Sequence, residues 1–175
     1  VTDETIILKE DTQSYDISGL TYAPWIVAKV WLERNSNVIR GTVTSAASTT
    51  LLDTTANFST AGVTSSWKIS IYDGTGAGQL RAVTGITGTT QINVAAWTVV
   101  PDTTSKYALW NPTEQTYDWY PISNYHFDTK EYPDTIYLLD DYASILGLRM
   151  RIEYLSELSD LATETDTTTA PQEYI

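Results

Sequence analysis

The feature that most constrains this chain is an abrupt change of texture. Between positions 41 and 109 only six residues are charged (Asp53, Lys68, Asp73, Arg81, Asp102 and Lys106), and the stretch is rich in Thr, Ser, Ala and Gly. On either side aromatic and charged residues return, in PWIVAKVWLER before it and EQTYDWYPISNYHFD after it. Two similar flanks around a dissimilar middle predict a host domain built from 1–40 and 110–155, with a self-contained module inserted at 41–109. Whole modules are tolerated at exposed loop tips. Excising the insert with a short linker is then expected to leave a folded host. Residues 156–175 read as a polar, acidic tail. Within it Thr169, Pro171 and Gln172 have the order of a helix N-terminus, and Tyr174 and Ile175 begin an apolar face. A helix started and cut off points to a chain that continues; the plainer alternative is a frayed terminus.

Periodicity and composition set the fold class. Threonine fills about one position in six, and 12 Tyr with 6 Trp far outnumber 2 Phe. β-branched and aromatic residues suit a pleated, half-buried surface. In WKISIYD, Trp67, Ile69 and Ile71 alternate with Lys68, Ser70 and Tyr72. In LGLRMRIEYL, Leu148, Met150 and Ile152 alternate with Arg149, Arg151 and Glu153. Near the start, Ile26, Ala28 and Val30 alternate with Val27, Lys29 and Trp31, which predicts a strand; a helix over 25–33 is the alternative. An edge strand at 6–8, two short strands around 45–48 and a buried anchor at Phe58 complete the reading. Short strands at spacings of roughly 8–12 residues, with turn residues between, are the pattern of a sandwich or barrel. The prediction is all-β: a host β-sandwich or barrel-like domain carrying a small β-barrel or sandwich module.

Several function classes are disfavoured. The net charge is −12, from 22 acidic and 10 basic residues, which repels phosphate backbones and offers no polybasic handle to an anionic membrane. There are no cysteines, hence no disulfide, thiolate or cysteine-metal chemistry. No apolar run of ~18 residues predicts a transmembrane helix, and no signal peptide is visible. The chain opens at Val1 rather than Met, as a processed start or a piece of a longer protein would.

Four patterns invite chemical readings. IYDGTGAGQLRAV places Gly74, Gly76 and Gly78 behind an aspartate. Its spacing is not that of a dinucleotide loop, β-formers rather than a helix follow, and a hairpin bend is the expectation. His126 is the single histidine, with Asp128 placed to share its face of a strand, but no nucleophile elbow accompanies it. The acids Asp118, Asp134, Asp140 and Asp141 lie near Trp110, Tyr117, Trp119, Tyr120 and Tyr125, a combination that could stack and hydrolyse a sugar. Such aromatics more often fill cores and subunit interfaces. The repeated DTT at Asp53, Asp102 and Asp166 predicts turns in which Asp and Thr side chains bond nearby backbone. No His or Cys cluster and no calcium loop is present. The sequence therefore proposes no catalytic residue, no cofactor and no metal.

The pieces GTVTS, TTLLDTTANF, GTGAGQLRAV, TTQINVAAW and PDTTSKYAL make the middle module resemble a β module that recurs in tailed-bacteriophage virion proteins. The final GLRMRIEYLSELSDLATETDTTTAPQEYI resembles the end of the β domain of some phage head–tail connector and neck proteins. The resemblance implies a non-enzymatic structural role in a virion, at the head–tail junction, neck or another tail or decoration position. Its partners would be other copies of itself, in a ring-like homo-oligomer, and neighbouring virion proteins. A ring lets one heterologous interface close on itself. The expected interface residues are Trp25, Trp31, Trp110, Trp119 and Tyr120. The alternative is a carbohydrate- or receptor-binding adhesion module.

Overall fold

The computed structural model of the chain describes residues 2–20, 24–113, 118–128, 134–140 and 142–156. The described residues form fourteen strands and one short 3-10 turn at Ala143–Ile145, so the chain is all-β. Asp166 and the helix start expected at Thr169 lie outside them.

The strands form three antiparallel sheets. The first holds β1 (Thr2–Ile7), β14 (Arg149–Ser156), β3 (Pro24–Arg34) and β11 (Asp118–Ile122) side by side in that order. The second runs β12 (Tyr125–Asp128), β13 (Thr135–Leu138), β2 (Ser14–Asp16). The third has seven strands: β4 (Val38–Thr42), β10 (Lys106–Trp110), β7 (Lys68–Asp73), β8 (Leu80–Thr87), β9 (Gln91–Val94), β6 (Thr50–Leu52) and β5 (Ser45–Ala47). Every described strand of this last sheet comes from 38–110, every described strand of the other two from outside it, and among the described residues no ladder joins it to them.

Alternation explains the packing of the first two sheets. Val30 and Leu32 of β3, Met150, Ile152 and Tyr154 of β14, and Ile136 and Leu138 of β13 meet in one buried cluster, so the two sheets form a sandwich. The third sheet curls around its own core, which includes Phe58, Trp67, Ile69, Ile71, Ile92 and Tyr107. Its edge strands β4 and β5 are separated in the chain only by Val43 and Thr44. At that bend the Val43 amide donates to the Ser105 carbonyl (3.0 Å) and the Thr44 amide to the Leu52 carbonyl (2.8 Å). The sheet is thus turned back on itself without a ladder closing it into a barrel.

One expectation needs correction in detail. Strict alternation from Ile26 to Trp31 fails. Glu153 lies opposite Lys29 and Tyr154 opposite Val27, which leaves Ala28 as the extra residue of a bulge. Val27 and Val30 are therefore both buried, and Ala28 is exposed. On β7 the face that carries Lys68, Ser70 and Tyr72 is covered too, with Ser70 0% and Tyr72 8% exposed. Tyr72 joins Ile7, Ala108, Trp110 and Leu148 in a third cluster, which packs the seven-stranded sheet against the rest of the chain. Gly147 makes that approach possible. Its φ is +83°, and a Cβ there would strike Ala108 and come within 3.0 Å of the Tyr72 ring. The Ser70 hydroxyl donates to the Gly147 carbonyl across the seam.

Candidate functional site

The glycine stretch is a hairpin tip between β7 and β8, as its flanking alternation predicts. Gly74, Gly76 and Gly78 have φ of 72°, 82° and 92°, and the Gly78 amide donates to the Ile71 carbonyl at 2.7 Å. The tip's polar groups are spent on the chain itself. Gln79 Oε1 accepts from the Thr98 and Val99 amides (2.8 and 3.1 Å), while its Nε2 donates to the Gly76 and Val99 carbonyls (3.1 and 2.7 Å). Thr75 Oγ1 donates to Asp102 Oδ2 at 2.7 Å, and Ser105 Oγ donates to the Thr75 carbonyl at 2.7 Å. No helix follows to offer amides to a phosphate.

The DTT turns behave as expected at both described sites. The amide and hydroxyl of Thr55 donate to Asp53 Oδ1 at 2.8 and 2.7 Å, and those of Thr104 to Asp102 Oδ1 at 2.8 and 2.6 Å. Hydrogen bonds from Thr104 and Thr75 hold the Asp102 carboxyl below the usual aspartate range. Asp53 is buried, and its other oxygen accepts the Tyr107 hydroxyl at 2.8 Å.

The five aromatic candidates do not form one surface. Trp110 is wholly buried, which corrects its placement at an interface: it packs with Ile7, Tyr72, Ala108 and Leu148, and its Nε1 donates at 2.7 Å to Oε1 of Glu33, on the outer face of the four-stranded sheet. Trp119 lies across that face under two guanidiniums, with Arg151 4.2 Å and Arg149 5.2 Å from its ring centre. Trp31 shares the face, opposite Arg151 and Pro121 in register, with the Lys29 ammonium 5.6 Å from its ring. Its Nε1 is a buried side-chain donor with no partner among the described residues. Tyr120 points the other way from edge strand β11, is 51% exposed, and meets Arg34 at 5.4 Å. Trp25 sits on β3, with its side chain outside the described set, as is Tyr117. Tyr125 is half-buried against the sandwich core.

The alternation of β14 did not reveal what Arg149 and Arg151 hold. Glu33, fully buried, accepts from the Arg149 amide (2.8 Å), from its Nε (3.0 Å) and Nη2 (3.2 Å), and from Trp110. Glu4 binds Arg149 at 3.1 Å and Arg151 at 2.6 Å. A carboxylate with this many donors is a satisfied buried charge. The sequence signal was present but faint: Trp119 falls opposite Glu33 only once the β11–β3 register is known.

His126 and Asp128 do share the outer face of the three-stranded sheet. His126 stands opposite Tyr137, which stands opposite Ser14; Asp128 stands opposite Thr135, which stands opposite Asp16. Ser14 is thus a whole strand away from His126, too far for a nucleophile and its base. The hydroxyl and amide of Ser18 hold the Asp16 carboxyl below its ordinary range. Asp140 accepts Asn124 Nδ2 at 2.7 Å, and Asp141 lies outside the described residues. Among the described residues no group of three His, Cys, Asp or Glu side chains could hold a metal ion, and no helix is long and apolar enough to cross a membrane.

Compared with family models, curated proteins and solved structures, the chain finds no match.

Proposed function

We propose that this protein is a structural component of a tailed-bacteriophage virion, placed at the head–tail junction or neck. It would act through self-association and contacts with neighbouring virion proteins. The observation that carries the reading is an open edge on the four-stranded sheet. β11 covers β3 only from Val30 to Arg34, so residues 24–29 of β3 have no strand on that side among the described residues. An uncovered edge of this length, mostly apolar, is a template for pairing with another chain. Exposed Leu155, on the neighbouring strand opposite Ile26, and exposed Tyr120 add apolar surface to the same sheet. The likeness of 41–109 to virion β modules supplies the setting.

The test is the mass of the purified chain in solution. A closed oligomer of defined copy number is expected. Ala28→Lys, which places a charge at the open edge, is expected to lower that mass while leaving the unfolding temperature unchanged. A chain that stays monomeric at all concentrations would count against self-association.

A further inference from the structure

A groove of about 860 Å³ lies between residues 8–15 and residues 137–146, within the size range of small-ligand sites. It is distinct from the Trp119 face and from the glycine hairpin. Its walls are fastened from behind. The Tyr15 hydroxyl accepts from the Lys9 amide (3.1 Å) and donates to the Thr12 carbonyl (3.0 Å). The Glu10 carboxylate takes the Lys106 ammonium at 2.6 Å, and the Glu10 amide donates to the Tyr72 carbonyl at 3.1 Å. On the opposite wall, Arg40 donates to the Ser144 and Leu146 carbonyls at 3.0 and 3.1 Å, and the Gly147 amide to the Leu8 carbonyl at 2.8 Å. Walls held this way are pre-organised, so little ordering remains to be done on binding.

Four side chains of the lining, by contrast, are unspent. The carboxylate of Asp11, the carboxamide of Gln13 and the hydroxyls of Ser14 and Tyr137 have no side-chain hydrogen bond among the described residues. Ser14 and Tyr137 stand opposite each other in the ladder. Tyr137 is 38% exposed, and its ring is braced by His126, with 6.1 Å between ring centres. Glu10, Asp11 and Asp140 outnumber Lys9 along the walls, which disfavours an anion. A purely apolar ligand would bury these donors and acceptors without partners, at a cost. A ligand with an apolar face and many hydroxyls meets both demands.

We infer that this groove binds a short, uncharged oligosaccharide, with Tyr137 as the stacking platform and Asp11, Gln13 and Ser14 as the hydrogen-bonding wall. The inference goes beyond the virion reading and does not depend on it. It also moves saccharide binding from the tryptophans to a tyrosine-lined groove.

The test titrates the isotope-labelled full chain with neutral gluco-, galacto- and manno-oligosaccharides and follows its amide resonances. At least one series should give saturable shifts at residues 11–14 and 137–138. Tyr137→Ala and Gln13→Ala should each weaken binding about tenfold or more, and Trp119→Ala should leave it unchanged. If Tyr137→Ala does not fold, Gln13→Ala decides, since its side chain holds nothing else in place. No saturable shift at about 10 mM sugar, where even a millimolar site would be mostly filled, would overturn the inference. So would shifts centred on Trp119, or unchanged affinity in the variants. Tighter binding of oligolysine in the same groove would reassign it to a cationic partner.

Discussion

Asp53 shows how a nearly uncharged module uses one of its few charges. Asp53 is buried among Thr55, Ala56 and Tyr107. Burial alone would push its carboxyl up, but the hydrogen bonds from Thr55, Tyr107 and the backbone outweigh that and hold it below the usual range. A carboxyl depressed in the folded state stabilises the fold above its unfolded value of about 3.9, and that contribution is lost as pH falls through the folded value. The acid limb of the urea midpoint against pH should therefore flatten in Asp53→Asn. Tyr107→Phe, which leaves Asp53 short of one donor, is expected to cost about 1–3 kcal/mol at neutral pH. Gly41 belongs to the same device, because a Cβ there would come within 2.5 Å of Asp53 Oδ2 and 2.6 Å of the Tyr107 hydroxyl. Trp31 presents the opposite case. Its indole N–H is buried without an acceptor among the described residues, so Trp31→Phe should be neutral or mildly stabilising by thermal melt, unlike most large-to-small changes in a half-buried sheet.

At the scale of elements, strand existence was legible because period-two patterning and turn residues are local properties. WKISIYD, LGLRMRIEYL and the glycine bend each carried their own evidence. The bulge at Ala28, the curl between β4 and β5 and the burial of both faces of β7 were not legible, because each depends on which strand lies alongside. The glycine hairpin shows how local and distant terms divide the work. Its glycines supply the left-handed backbone, while Gln79 fastens the tip to residues 98 and 99, about twenty positions away. Gln79→Ala removes four hydrogen bonds from that side chain to backbone, so the Thr98 and Val99 amides should exchange with solvent roughly ten- to a hundredfold faster. Global stability should fall by only about 1–2 kcal/mol, since net hydrogen-bond contributions are modest. If exchange at Thr98 and Val99 is unchanged, the clasp is not what orders that loop.

For the whole molecule, the change of texture at 41 and 109 left unseen the seam between the seven-stranded sheet, whose strands come from 38–110, and the other two sheets. Texture reports each unit's own composition; the seam is made of single residues contributed by both. Trp110 and Ala108 come from β10, Tyr72 from β7, Ile7 from β1, and Leu148 from the segment leading into β14. Glu33 binds Arg149 within the sandwich and Trp110 beyond it, so one buried carboxylate serves both units. Removing 41–109 takes away Tyr72 and Ala108 and uncovers Ile7 and Leu148, each about 2% exposed or less. Loss of burial at these two side chains alone is worth about 1.5–3 kcal/mol apiece, a large share of a typical domain's 5–15 kcal/mol. The full chain is therefore expected to unfold in a single transition, with tryptophan fluorescence and far-ultraviolet circular dichroism coinciding. The chain lacking 41–109 should melt far lower or without cooperativity. Glu33→Ala should destabilise the full chain by about 1–3 kcal/mol, because it leaves the buried Trp110 indole N–H and the Arg149 amide without their acceptor while Glu4 still pairs with the Arg149 guanidinium. An excised host with the midpoint of the full chain would show that the seam contributes nothing and that the module is an independent passenger.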